Sequence, residues 1–276
     1  TRIADGLSMP IEDLTEAVAD PSAYGVDAAS LEGWLFPATY TFDPGTPAAE
    51  IIQTMVNRTR ESLDAAQVPV EDRQRILTIA SIIQREARYT EDFYKVSRVI
   101  ENRMQPDNDQ TFGKLEMDST AQYGYGEMHD GTASTSEEAQ FDDNPWNTYV
   151  HEGLPVGPIS NPGDLAIDAA LHPADGPWLY FVTINLATGE TLFTQTLAEH
   201  EQAVADIRLR RRPVDVVLLA QIGAGVLHDD AAVFQHIAKV RRIERHVGVL
   251  LHQQDGGAAL AVDAHHDLED FLGQAR

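Results

Sequence analysis

The chain has 276 residues, 43% of them hydrophobic, which is enough to bury a substantial core in one large domain or two small ones. Its net charge of −24 would repel phosphates and argues against binding to nucleic acid or to an anionic membrane surface. The chain contains no cysteine, so disulfide and thiolate chemistry are excluded.

Charge is distributed unevenly along the chain. Residues 1–206 contain 11 Lys and Arg against 35 Asp and Glu, whereas residues 207–276 contain nine of each. This change of composition predicts a boundary near residues 208–213. No run of about 18 apolar residues is present, so we expect any signal sequence or membrane anchor to lie upstream of residue 1.

Hydrophobic spacing predicts helices in the first half of the chain. Pro10 stands at the first turn of an amphipathic segment that runs to residue 20. Residues 31–40, LEGWLFPATY, are aromatic and broken by proline, which indicates a buried turn or an edge strand. Helices are then predicted over residues 47–65, 71–88 and 90–104, and the last two should pack together.

The second half of the chain predicts loops and then a small sheet. Residues 105–162 are rich in Gly, Pro, Asn, Asp and Tyr with little periodicity, which indicates loops and short elements that form a binding surface. Asn161-Pro162-Gly163 should form a turn that also caps a helix over residues 164–171. A strand at 178–184, its hairpin partner at 191–195 and a closing helix at 199–208 follow. The predicted fold class is α+β: a helical catalytic core with a small antiparallel sheet and long groove-forming loops.

The last part of the chain supports only a coarse prediction. Strands are predicted at residues 214–219 and 247–251, with a helix at 231–245. The clusters His228-Asp229-Asp230 and His265-His266-Asp267 do not match the spacing of a known metal site. No phosphate-binding loop, nicotinamide fingerprint or nucleophile elbow is present, so we expect neither a metal nor a cofactor.

One glutamate lies at the edge of an apolar helical stripe. In residues 76–88, ILTIASIIQREAR, a rotation of 100° per residue places Glu86 between Ile79 and Ile82 on the helix surface. A carboxyl group beside packed isoleucine loses hydration, which raises its pKa. A carboxylic acid that stays protonated near neutral pH is what general acid catalysis at a glycosidic oxygen requires. The alternative is an ordinary helix whose glutamate reaches into water.

Several segments in a fixed order resemble the endolytic murein transglycosylases, the YceG-like family, over residues 30–205. The segments are LEGWLFPATY, ASIIQREA, VSRVIENRM, LEMDSTAQYG, WNTYVHEGLPVGPISNPG, HPADGPWLYFV and EH. The resemblance implies that residues 1–30 are the end of a LysM-like subdomain and that residues 31–207 are the catalytic domain. Residues 208–276 stay unassigned, as a poorly ordered tail or the product of a frameshift.

The resemblance implies a lyase that cuts the β-1,4 bond between N-acetylmuramic acid and N-acetylglucosamine and leaves 1,6-anhydro ends. A single carboxyl group, carried over to Glu86, would serve first as acid and then as base. The family often has a further glutamate at the position of Gln84, and the protein would be inactive if the chemistry belonged there. The alternatives are an inactive peptidoglycan-binding module and a muramidase-type hydrolase that uses Glu86 with Asp118. The resemblance also implies a single-pass membrane anchor, an extracytoplasmic catalytic domain and contact with the cell-wall synthesis machinery.

Two segments supply the predicted glycan-binding residues. Asp118, Thr120 and Tyr123 match the family's aspartate block, in which Asp118 would orient the saccharide or stabilise positive charge, unless it caps a helix. Asn147, Thr148 and Tyr149 offer an amide, a hydroxyl and an aromatic face, although Asn147 alone could equally form a turn.

Two further acidic positions are open to a structural interpretation. Glu32, close in sequence to the aromatic residues Trp34 and Phe36, is expected to have a structural role. Glu199 and His200 could support the site as a pair, but helix capping explains them equally well.

Overall fold

The structure is a computed structural model that describes residues 2–7, 9–128, 135–185 and 187–210. Two short helices, α1 (Arg2–Leu7) and α2 (Ile11–Ala17), open the chain, and Leu14 of α2 is buried against the next long helix. A single 3-10 turn follows, where the hydroxyl of Tyr24 donates to the carbonyl of Ala17 at 2.7 Å. The first thirty residues therefore pack onto the helical core, while their assignment to a LysM-like subdomain stays a prediction.

Three long helices build the core. They are α3 (Ala48–Ala65), α4 (Arg73–Glu86) and α5 (Thr90–Arg103). Helix α4 is central because its residues 76–83 are all buried, and it contacts α5 as well as the later helices α6 (Asp118–Tyr125) and α8 (Asp164–Leu171). A helix that is apolar over most of its circumference must be covered on several sides, and the loops and short helices provide that cover.

The segment between α5 and α8 is mostly irregular, as predicted. It contains α6 and the short helix α7 (Glu137–Phe141), and three large side chains attach it to the core: Leu115, Met117 and Ile159. Residues 31–40 contain no strand: a turn lies at residues 31–35, Trp34 and Phe36 are in the core, and residues 37–39 are exposed.

A two-stranded sheet and a helix complete the fold. Strand β1 (Tyr180–Asn185) pairs antiparallel with β2 (Glu190–Thr194), and α9 (Leu197–Arg210) packs against both strands. The predicted α+β class, with a helical core, a small antiparallel sheet and long loops, is confirmed. The predicted domain end at residue 207 lies inside α9.

The predicted turn supplies the N-cap residue of α8, Gly163, but no side chain caps the helix. Helix α8 begins after Gly163 without a side-chain cap, and the Asn161 side chain instead accepts the backbone N–H groups of Gly33 and Leu35 at 2.9 and 3.0 Å. The donors of a distant loop compete for this oxygen, which local sequence cannot show.

The chain divides into the unit Thr1–Arg210 and the unit Arg211–Arg276. The second unit lies outside the described residues, together with its predicted strands, its helix and its two histidine–aspartate clusters. In the part of the chain that the structure describes, no helix combines the length and the apolar character needed to cross a membrane.

Candidate active site

Glu86 is the last residue of α4, and its side chain is directed onto α6. The carboxylate oxygen Oε1 accepts a hydrogen bond from the hydroxyl of Ser119 at 2.5 Å and lies 3.3 Å from the Ser119 backbone nitrogen, which also donates to it. The residue is half-buried, and Ile79 and Ile82 on the preceding turn are buried. The carboxyl group is thus held at the edge of the core and is not directed into bulk solvent.

Opposing effects set the ionisation of Glu86. Burial has the largest effect and raises its pKa above the ordinary 4.5, and the nearby Asp118 carboxylate raises it further. The hydrogen bonds from Ser119 and the charge of Arg103 act in the opposite direction, but the net shift is upward. The position at a helix C-terminus also disfavours a negative charge. Glu86 can therefore hold its proton at a higher pH than a free glutamate.

Asp118 and Tyr149 form a pair beside Glu86. The hydroxyl of Tyr149 donates to Oδ1 of Asp118 at 2.7 Å. Asp118 is the first residue of α6, where the helix dipole favours its charge, and it caps nothing because Thr120 and Ala121 donate to the Met117 carbonyl. Burial has the largest effect on the pKa of Tyr149 and raises it, and the Asp118 carboxylate raises it further. The Tyr149 hydroxyl therefore stays protonated and orients the Asp118 carboxylate.

Asn147, Thr148 and Thr120 are part of the framework. All three are at most 1% exposed. The Asn147 amide donates to three backbone carbonyls, those of Ala139, Gln140 and Asp142, at 3.0, 3.1 and 2.8 Å. The Thr148 hydroxyl lies 2.7 Å from that of Thr120 and accepts from the Met117 backbone at 3.1 Å. Irregular backbone between helices needs buried hydrogen-bond partners, and these side chains supply them. Because the side chains are buried and already hydrogen-bonded, this geometry does not fit their predicted contact with substrate.

Tyr123 is the remaining member of the predicted set, and it extends the site along α6. Its ring is half-buried and lies 5.6 Å from that of Trp146. Burial, and then the carboxylate of Glu32, raise its pKa. Of the predicted residues, Glu86, Asp118, Tyr123 and Tyr149 are grouped around α6 and retain exposed surface.

Gln84 and Glu199, which the sequence analysis also considered, both form hydrogen bonds with the backbone of nearby loops. The Gln84 side-chain oxygen accepts the backbone N–H of Gly163 at 3.1 Å, so Gln84 ties the loop before α8 to α4. Glu199 accepts the N–H groups of Gln195 and Thr196 at 3.0 and 3.2 Å, which is the capping arrangement left open above.

Sequence analysis missed Arg103. Its guanidinium is 5% exposed, donates to the carbonyls of Leu115 and Leu179, and lies 5.1 Å from the centre of the Tyr180 ring. Arg103 therefore connects the segment that precedes α6 to the segment that precedes β1. The sequence does contain a signal for this burial. Arg103 occupies a position in the apolar stripe of α5, where a side chain faces the core and not the solvent.

A cavity formed by the described residues lies away from this site. A cavity of about 640 Å³ lies between β2 and α9, lined by Trp178, Phe193 and Ala203 among others. It contains none of the residues grouped around Glu86. We place the candidate site at Glu86 because the chemistry-bearing side chains converge there.

Comparison with known proteins bears on the family. The YceG-like family model matches residues 3–206. An endolytic murein transglycosylase from Bacillus subtilis is 36% identical over 178 residues, which cover 63% of this chain and 47% of that protein. A protein of the same name from Streptococcus pneumoniae is 28% identical over 183 residues, covering 64% of this chain and 32% of that protein.

A solved structure supports the same fold. The crystal structure of a YceG-like protein from Listeria monocytogenes is 32% identical, with a TM-score of 0.57, and the match covers 71% of this chain and 68% of that one. The chain spans about half the length of the Bacillus relative and about a third of the pneumococcal one. The family match extends over most of the chain, including every residue of the candidate site, and the chain therefore belongs to the YceG-like family.

Proposed function

We propose that this chain carries the catalytic part of an endolytic peptidoglycan lytic transglycosylase, a lyase. The observation that carries the proposal is the Glu86 carboxyl group, which is half-buried, hydrogen-bonded to Ser119 and close to Asp118. The names of the relatives support it, although each relative is longer than the matched segment.

The proposed reaction needs one proton carrier. Protonated Glu86 gives its proton to the glycosidic oxygen as the bond from the muramic acid C1 to that oxygen breaks. The 6-hydroxyl of the same sugar then attacks C1 and returns its proton to Glu86. The products are a 1,6-anhydro-N-acetylmuramic acid end and a free 4-hydroxyl on the released N-acetylglucosamine, and no water is consumed. Ionised Asp118, oriented by Tyr149, would stabilise the positive charge that develops at C1.

The Glu86→Gln variant tests this proposal on purified glycan strands. We expect a loss of about 100-fold or more in the rate of anhydro-end formation, measured by mass spectrometry of the products, because glutamine cannot transfer the proton. Product formation at the wild-type rate would contradict it.

A matched variant separates the two candidate positions. Gln84→Glu combined with Glu86→Gln restores a carboxyl group at the position where the family often has one. Because the side chain at position 84 is bound to Gly163, we expect the double variant to stay inactive. Recovery of cleavage would move the chemistry to position 84.

A muramidase-type hydrolase is the second candidate. The observation in its favour is that Asp118 lies next to Ser119, the partner of Glu86, so two carboxyl groups meet at the first turn of α6. Reducing ends in place of anhydro ends would favour it, and glycan binding without any cleavage would favour an inactive binding module.

We also propose that the complete protein is anchored in the cell membrane by a single upstream span, with this part on the extracytoplasmic side and near the cell-wall synthesis machinery. Protease accessibility of the full-length protein in spheroplasts, together with crosslinking to synthases, tests both statements. Protection from external protease would contradict the proposed location.

A further inference from the structure

We infer that Glu32 is a second saccharide-binding residue of this site, which contacts the same glycan as Glu86. This inference rests on the proposed function, since it names a further contact with the same glycan. It assigns Glu32 a role beyond the structural one expected from sequence.

The Glu32 carboxyl group is held rigidly through one of its two oxygens. Oε1 accepts from the Asn161 amide at 3.0 Å, and the Asn161 oxygen accepts from the backbone of Gly33 and Leu35. The other oxygen, Oε2, has no hydrogen-bond partner among the described residues, and Glu32 is partly exposed. One oxygen is therefore committed to the framework, and the other is available to a ligand.

The loop that holds Glu32 runs alongside α4 toward Glu86. Ser81 of α4 accepts the N–H of Ile159 at 3.0 Å, and its carbonyl accepts the Ser160 hydroxyl at 2.9 Å. Three residues further on, Gly163 is bound to Gln84. Asn161 lies between these two attachments, so Glu32 lies beside the last turns of the helix that ends at Glu86.

Contacts with helix α6 independently relate the position of Glu32 to that of Glu86. Ser119 and Tyr123 are four residues apart and share one face of α6. Glu86 is bonded to Ser119, and the Glu32 carboxylate is close enough to Tyr123 to affect its ionisation. Both carboxyl groups therefore act on side chains of the same face of α6.

The chemistry of this position favours a ligand contact. No Lys or Arg forms an ion pair with Glu32 among the described residues, and burial raises its pKa. The Asn161 contact alone would be served equally well by an uncharged acceptor such as glutamine. A carboxyl group with one free oxygen, close to the half-buried ring of Tyr123, can bond a sugar hydroxyl while the ring covers an apolar sugar face.

The experiment measures binding and turnover separately. In the wild-type background, Glu32→Ala should raise KM for glycan strands by about 10-fold with kcat nearly unchanged, which corresponds to the loss of one hydrogen bond. In the Glu86→Gln background, where cleavage is blocked, the Kd for the same strands should rise by a similar factor. Glu32→Gln keeps the Asn161 contact and a polar group at the free position, so KM should remain within about 3-fold of wild type. Glu61→Gln, which neutralises an exposed carboxylate on α3, is the control and should change neither constant.

Three outcomes would overturn the inference. They are an unchanged KM and Kd in Glu32→Ala, a fall in kcat at unchanged KM, and a loss of activity that only follows a loss of folded protein measured by Tm. If Glu32→Ala does not fold, Glu32→Asp replaces it, since the shorter side chain should raise KM in the same way. If wild-type protein cleaves nothing, the proposed function fails, while the Kd comparison still decides the role of Glu32.

Discussion

At the scale of single residues, Ser119 and Asp118 act on Glu86 in opposite directions. The Ser119 hydroxyl stabilises the carboxylate, whereas Asp118 disfavours a second negative charge next to it. An acid that must also serve as a base has to reach both protonation states during one turnover. These two neighbours therefore adjust, in opposite directions, a protonation equilibrium that burial shifts toward the acid.

The Ser119→Ala variant tests this balance. Removing the donor should raise the pKa of Glu86 further, so the alkaline limb of the pH profile of kcat/KM should move to higher pH. Asp118→Asn removes a negative charge and should move the same limb to lower pH. A shift of both variants in one direction would show that a different group controls the limb.

The stability of the Glu86→Gln variant should depend on pH in a defined way. Because burial holds the folded-state pKa of Glu86 above 4.5, the protonated form contributes stability that is complete below this value. That contribution is lost as the pH rises through the folded-state pKa. Glutamine cannot ionise, so the Tm of the variant should exceed that of wild type increasingly as the pH rises above about 4.5. Equal Tm values from acid to neutral pH would show that Glu86 is not significantly desolvated.

At the scale of elements, the docking of α6 onto the following loop depends on one small residue. A side chain at Gly124 would overlap the Asn144 side chain, which is bonded to Asp142 at 2.7 Å and to the Trp146 backbone at 3.0 Å. The Asn144 side chain cannot move away without breaking these two bonds. The loop in question ends at Tyr149, the partner of Asp118, so the packing at Gly124 reaches the candidate site.

Gly124→Ala should therefore lower the free energy of unfolding by about 1–3 kcal/mol and also reduce kcat/KM. Chemical denaturation and strand-cleavage assays measure the two effects. Gly157→Ala is the matched control, because a methyl group there comes no closer than 4.0 Å to the Gln74 side chain. An equal loss of stability in both variants would rule out the overlap with Asn144 as the cause.

Sequence patterns predicted the elements better than the site. Helix α8 was predicted at its observed bounds, and the stripe that places Glu86 at the edge of a buried face was correct, because helical periodicity is a local property. The sequence left Asn147 open between a sugar contact and a structural role, since a loop amide serves sugars and backbone carbonyls equally well, and its three hydrogen bonds fit the structural role. Which of the two it meets depends on where residues 139–142 are placed, which the sequence pattern of an irregular segment does not show.

At the scale of the whole molecule, the charge is segregated. Residues 115–206 contain 16 Asp and Glu and no Lys or Arg. This stretch supplies α6 and the loop to Tyr149, so three of the four residues grouped around α6 come from a part of the chain whose only charged side chains, apart from histidine, are acidic. Glycan strands that carry peptide carboxylates would be repelled by it at low salt.

Ionic strength should therefore change the KM for native strands. Raising the salt concentration toward 0.15 M shortens the screening length to about 8 Å, and the KM for peptide-bearing strands should fall several-fold. Strands from which the peptides have been removed serve as the control and should show a much weaker dependence. A KM that rises with salt for peptide-bearing strands would indicate an attractive contact instead.

The tip of the hairpin touches the chain just beyond Glu86. The Tyr89 hydroxyl donates to the Thr188 carbonyl, and Gly189, at φ +81°, lies against the Arg88 side chain with no room for a Cβ atom. The segment that follows α4 is therefore held in part by a surface turn about a hundred residues later in the chain. Insertions or substitutions in this turn would act on the segment next to Glu86, the proposed proton donor, and would change the proposed turnover rate without altering a proposed sugar contact.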